Sequence, residues 1–119
     1  NYDQLLRSAV AANNLEMLKY LYDISKKDKI HDKELLVMSC IVGNIKIVEW
    51  IYYNNILLID EKIINRMMKQ TVLFEQIECM FWIIDNFYHL IDIDEIILID
   101  CVASLYGRNN LTNIINDIV

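Results

Sequence analysis

Two histidines and three cysteines bound the nucleophilic and metal chemistry open to this chain. His31 is followed by Asp32, and His89 lies close before Asp92, so an Asp–His or Cys–His pair can be drawn for either. Nucleophilic catalysis needs a nucleophile, a base and oxyanion donors converging in one pocket. A histidine in a polar loop beside a helix cap is expected to be solvated instead. Cys40, Cys79 and Cys101 are separated by 39 and 22 residues, which fits neither a zinc knuckle nor a secreted disulfide framework. That usage points to a reducing, cytoplasmic compartment. The carboxylates Asp92, Asp94, Glu95 and Asp100 are hard-cation ligands by type, but they lack the Asp-x-Asp-x-Asp-Gly spacing of a calcium loop. Helix capping and solubility account for them. No Gly-rich phosphate cradle is present. The expectation is a protein that is not an enzyme, with no catalytic residue, no cofactor and no metal.

Whatever positions these groups is one compact element set. The chain has 119 residues, 55% hydrophobic and 24% charged, too apolar for a disordered segment and large enough for one domain with a core. It begins at Asn1 rather than Met, which suggests a fragment of a longer protein. Lys plus Arg is 11 against 17 for Asp plus Glu, a formal charge of −6, whereas nucleic-acid binding needs clustered positive charge. The only basic run, Lys26, Lys27, Lys29 and Lys33, is interleaved with Asp28 and Asp32 and reads as a solvated loop. Apolar runs of about five residues, such as Met80 to Ile84, are far below the roughly 18 needed to span a bilayer. Neither nucleic acid nor membrane is therefore expected as a partner. Zero Pro and two Gly leave little turn chemistry for hairpins and disfavour all-β architecture.

The chain repeats itself. Residues 5–25, LLRSAVAANNLEMLKYLYDIS, align with residues 35–55, LLVMSCIVGNIKIVEWIYYNN, at an offset of 30. Leu5/Leu35, Leu6/Leu36, Asn14/Asn44 and Tyr22/Tyr52 are identical, and Met17/Ile47, Leu18/Val48, Tyr20/Trp50 and Leu21/Ile51 stay apolar. Residues 67–86 join at an offset of 32, where Ile77, Trp82, Ile83 and Asn86 repeat Ile45, Trp50, Ile51 and Asn54. A fourth unit from about residue 96 fits if about two residues are inserted in its second half. Recurrence at such a period is the signature of repeat architectures. The units run over about 3–31, 32–59, 60–93 and 94–119, within a single domain of residues 1–119.

Each unit reads as two amphipathic helices, by apolar spacing at i, i+3, i+4 and i+7. Asn13-Asn14, Gly43-Asn44, Glu75-Gln76 and Gly107-Arg108 fall at the turn between them, and Gly and Asn tolerate the left-handed conformation that such a turn needs. Glu75-Gln76 departs from this rule. Asp3, Asp32, Asp60 and Asp94 precede apolar stretches and are the expected N-caps, each worth about 1 kcal/mol. Residues 24–34, 54–63 and 86–95 are the expected loops. Trp50, Trp82, Tyr20 and the methionines recur at core spacing and are expected to be packing residues.

SAVAANNLEMLKYLY and SCIVGNIKIVEWIYY resemble the core pattern of ankyrin repeats, in which two small residues, two variable ones, Gly and a polar residue precede a Leu-x-x-Val second helix. Ala9-Val10, Ser39-Cys40, Thr71-Val72 and Ala103-Ser104 stand at the small pair. The family's Thr-Pro-Leu-His, Gly-Ala-Asp and Asp-x-x-Gly signatures are absent from every unit, so projecting β-hairpins are expected to be reduced or absent. The resemblance implies an all-α solenoid of about four stacked helix-turn-helix repeats. Ile- and Asn-rich repeats of this style look like those of giant DNA viruses of amoebae, and somewhat like those of poxviruses and A/T-rich protists.

In the resembled family the two variable positions on the first helix lie towards a concave groove. Here they are Ala11-Ala12, Ile41-Val42, Leu73-Phe74 and Leu105-Tyr106, all apolar. With Met38 and Gln70 on the same helices, they form the candidate partner-binding set. Large exposed apolar patches on soluble domains mark interaction sites. The alternative is that the stripe packs between adjacent repeats. The resemblance implies a protein–protein interaction module, a viral adaptor engaging a host or viral protein in the host cytoplasm. A structural or self-assembling component, associating through uncapped repeat ends, is the second reading.

Overall fold

The computed structural model describes residues 2–25, 32–54, 59–105, 111, 114, 115 and 117. Among these, every regular element is helical. They are α1 (Tyr2–Ala11), α2 (Leu15–Ile24), α3 (Glu34–Val42), α4 (Ile45–Tyr53), α5 (Glu61–Leu73), α6 (Ile77–Phe87), a 3-10 turn (Tyr88–Leu90) and α7 (Ile93–Ser104). Ile114, Ile115 and Asp117 are also helical. Three helix pairs thus fall where the internal repeat placed them, and α7 opens the fourth unit.

Local chemistry fixes most of the helix starts. The Asp60 carboxylate accepts from the Ile63 N–H at 2.9 Å, and that of Asp32 from the Glu34 N–H at 3.1 Å. Three expected caps are corrected. Asp32 stands one residue ahead of the α3 N-cap position, which Lys33 holds without a side-chain bond. Asp3 lies inside the first turn of α1, where it still favours the helix dipole. Asp94 lies inside α7, and Asp92 is the residue that caps it, accepting from the Glu95 N–H at 3.2 Å. The expected 86–95 loop is accordingly short, because α6 runs on to Phe87 and the 3-10 turn follows directly. Asn14 and Asn44 do more than form turns, since their side chains cap α2 and α4 by accepting from the Met17 and Ile47 N–H groups.

The turns within units are left-handed at the same place three times, at Asn13 (φ 56°), Gly43 (φ 82°) and Glu75 (φ 54°). In the first and third, the N–H three residues past the helix bonds back to the carbonyl five residues earlier. These bonds are Asn14 to Ala9 at 2.9 Å and Gln76 to Thr71 at 2.8 Å, the Schellman pattern that ends a helix. Glu75 therefore obeys the geometry although its side chain disfavours it. Glu75→Gly is expected to stabilise the protein by about 0.5–1 kcal/mol, read as a higher urea midpoint at unchanged slope. An unchanged midpoint would show that the third turn carries no strain. Gly107-Arg108 lies outside the described residues.

Packing follows the pairs. Helix α1 packs on α2 and α3, α3 on α4 and α5, and α5 on α6 and α7, while α4 also meets α6. Successive first helices thus pack on one another, and each packs on the second helix of its own unit. The small pairs Ala9-Val10, Ser39-Cys40 and Thr71-Val72 are buried, which lets adjacent first helices approach closely. Their hydroxyls are satisfied within their own helices, Ser39 donating to the Leu36 carbonyl at 2.6 Å and Thr71 to that of Met68 at 2.7 Å. Ala103 and Ser104, in the fourth unit, are only half-buried.

One apolar core runs the length of the row, from Leu6, Val10 and Leu18 through Leu36, Ile47, Ile51, Ile64, Met68, Met80 and Ile83 to Ile96 and Ile115. Of the residues expected to pack there, Met17 and Tyr20 are corrected to exposed, whereas Trp50 and Trp82 are half-buried. On the second helices a ring pair recurs. Tyr22 meets Trp50 edge-on with centroids 5.3 Å apart, and Tyr52 meets Trp82 at 5.5 Å, each such contact adding about 0.5–1.5 kcal/mol beyond area burial. The molecule measures 44 × 28 × 19 Å, with a radius of gyration of 14.8 Å. About 13.5 Å is the value for a compact domain of this length, so the row is somewhat elongated.

Candidate functional site

The first helices carry the candidate surface. The offset of 32 brings Glu34, Arg66 and Leu98 to one position, Met38, Gln70 and Val102 to the next, and Ile41, Leu73 and Leu105 to a third. Within each helix these three stand at i, i+4 and i+7, one face of the cylinder. The face changes character along the row. On α3 it is mixed, with Glu34 half-exposed and Met38, Ile41 and Val42 half-buried. Met38 and Val42 pack against the core, as the alternative of a stripe packed between repeats requires of them. On α5 Gln70 is half-buried, but Leu73 and Phe74 are exposed. On α7, Leu98 is 63% exposed, Val102 is exposed, and Leu105 reaches 82%. Tyr106 lies outside the described residues, and Ala11 and Ala12 are exposed on α1.

The structure therefore divides the expected stripe. Its α3 members are partly absorbed into packing, while Leu73, Phe74 and Leu105 join Leu98 and Val102 on two adjacent helices. Sequence reasoning missed Leu98 and Val102 because it took Met38 and Gln70 on α3 and α5 without carrying that position on to α7. The signal was present: counting back three and seven residues from Leu105 reaches both.

The same helices also carry charged side chains that pair from one unit to the next. The Arg66 guanidinium makes two parallel bonds to the Glu34 carboxylate, at 2.7 and 2.9 Å, joining α5 to α3. Arg7 grips Asp32 in the same forked way at 2.6 and 2.9 Å, and Lys69 meets Glu95 at 2.6 Å, joining α5 to α7. The hydrogen bond from Arg66 holds the Glu34 carboxyl below its ordinary range, and the matching bond raises the Arg66 guanidinium. Such exposed pairs contribute at most about 1 kcal/mol each. Their geometric role is to set the register of neighbouring first helices. Between α5 and the start of α7 they border a polar hollow of about 470 Å³, lined by Glu61, Lys62, Asn65, Arg66, Lys69, Asp92 and Glu95.

Among the described residues, no cysteine or histidine lines this hollow. Desolvation pushes the Cys40 thiol far above its ordinary value and that of Cys79 to about 11, so both stay protonated in the core. Cys101 is exposed on α7. His89 sits exposed in the 3-10 turn, and His31 lies outside the described residues. The acidic group is dispersed among separate tasks. Asp92 caps α7, Glu95 pairs with Lys69, Asp94 is exposed, and Asp100 is buried with its carboxylate accepting the Leu111 N–H at 2.8 Å. Among the described residues, no group of three His, Cys, Asp or Glu side chains is placed to hold a metal ion. Among those residues, too, no helix is long and apolar enough to cross a membrane.

Comparison with family models, with curated proteins and with solved structures returned no match.

Proposed function

We propose that this chain is a non-enzymatic protein-binding module of ankyrin-like build, and that α5 and α7 form its contact surface. The observation carrying this reading is the set Leu73, Phe74, Leu98, Val102 and Leu105, exposed together on two helices that pack side by side. An apolar patch left open to solvent costs solubility, and such patches mark interaction sites. The partner is another protein, docking an apolar ridge along α7. In a stack of helix pairs every unit contributes the same position to one long surface, which suits binding more than catalysis. The viral-adaptor reading and a host-cytoplasm location follow from the style of the repeats alone.

The double variant Leu98→Lys, Leu105→Lys tests the surface. Both side chains are solvent-facing, so the variant is expected to keep its helical circular dichroism and its melting temperature within a few degrees. Proteins captured by the native chain from a lysate, then purified, should bind the variant at least tenfold more weakly by calorimetry. Equal affinity would remove α7 from the contact. The alternative reading, a structural component that assembles through its repeat ends, predicts concentration-dependent oligomers in light scattering that these two substitutions leave intact.

A further inference from the structure

The first unit exposes apolar side chains at positions that the second and third units bury. Leu5 on α1 is 46% exposed, whereas its equivalents Leu35 and Met67 are 0% and 1% exposed. Met17 on α2 is 45% exposed, and its equivalents Ile47 and Cys79 are fully buried. Tyr20 is 60% exposed, and its equivalents Trp50 and Trp82 are half-buried. The first three units each have a following unit, so the difference marks what a preceding unit covers. For the aromatic position the covering group is visible. Trp50 receives the edge of Tyr22 from the unit before it, and Trp82 receives that of Tyr52. Tyr20 holds the place of those tryptophans on the first unit.

We propose that the outer face of α1 and α2 is an acceptor face for one more two-helix unit of the chain's own build, joined ahead of Tyr2 on the same polypeptide. Its second helix would set an aromatic ring edge-on to Tyr20, and its first helix would cover Leu5. The face continues an interface that the molecule already makes twice, between its first and second and its second and third units. A second copy meeting this face with its own is disfavoured by charge. The two helices carry Glu16 and Asp23 against Lys19, with Arg7 already engaged by Asp32, so two copies would bring an excess of negative charge together.

The test is a fusion that places a duplicate of residues 2–31 directly before Tyr2 of the full chain, keeping the 30-residue step. Amide exchange of the original α1 and α2 is expected to slow at least tenfold relative to the parent chain. Met17→Lys with Tyr20→Glu, made in the original unit, should abolish that slowing in the fusion. In the parent, where both side chains face water, the same pair should leave exchange and circular dichroism almost unchanged. Unaltered exchange in the fusion, or slowing that survives the double substitution, overturns the proposal. So does a parent chain that dimerises by sedimentation and is rendered monomeric by Tyr20→Glu, since the occupant would then be a second copy. None of these readings depends on the α5–α7 surface.

Discussion

Gly43→Ala is expected to destabilise the protein by about 2–3 kcal/mol, the sum of two separable costs. Gly43 sits at φ 82°, where an L-residue loses about 1–2 kcal/mol to the clash of its Cβ with the backbone. The space that a Cβ would enter is also occupied. An added Cβ would lie within 2.8 Å of three atoms of the Gln76 carboxamide. Gln76 is placed there by its bond to the Ile41 carbonyl at 2.8 Å, which ties the turn of the second unit to that of the third. The side chain can swing away, but only by giving up that bond, worth about 1 kcal/mol. A double-mutant cycle in urea separates the two costs. Gln76→Ala alone should lose about 1 kcal/mol, and in its background Gly43→Ala should cost about 1 kcal/mol less than in the native chain. Additive losses would mean that the two residues do not share this space.

Asn65→Leu carries a comparable penalty from a different source, about 2–3 kcal/mol. Asn65 is buried on α5, and its carboxamide is used at both ends. The nitrogen donates to the Glu61 carbonyl at 2.8 Å and to the Leu90 carbonyl at 2.9 Å, and the oxygen accepts the Asp92 N–H at 2.8 Å. Leucine has similar bulk, so the loss is one of hydrogen bonds and not of packing volume. The Leu90 and Asp92 groups fix the path from α6 into α7, so the substitution should loosen α7 more than the rest. Exchange measurements are expected to show protection falling first in residues 93–104 while α1 to α4 keep theirs. A uniform loss across all seven helices would show that α7 is held by other means.

The helix pairs were legible because apolar spacing reports directly on which face is buried, and three units repeat the same spacing. Left-handed turns were legible at Gly43 and Asn13, whose side chains permit them. Glu75 shows why such reading stops short: the geometry was imposed by the flanking helices, and the side chain was merely tolerated. The caps divide the same way. Asp60 stands in the expected role, but Asp32 falls one residue ahead of the α3 N-cap position, and Asp92 and Asp94 are two residues apart, so that only the helix start itself decides which one accepts from its first turn. On the candidate surface, apolar character alone could not separate Val42, which packs against the core, from Leu105, which faces water. That distinction depends on how far each helix rotates against its neighbour, which is decided by packing between residues far apart in sequence.

The side-chain hydrogen bonds that tie one helix pair to the next span a narrow range of chain separation. Arg7 reaches 25 residues to Asp32, Asn44 reaches 31 to Asn13, Arg66 reaches 32 to Glu34, and Gln76 reaches 35 to Ile41. The entropy lost in closing a loop grows only as the logarithm of its length, and here that length is nearly constant from one junction to the next. Every junction thus faces a similar search, and the ordering of one pair supplies the template for its neighbour. A polypeptide of this kind can lengthen without slowing its own assembly, because no contact has to wait for the distant end of the chain.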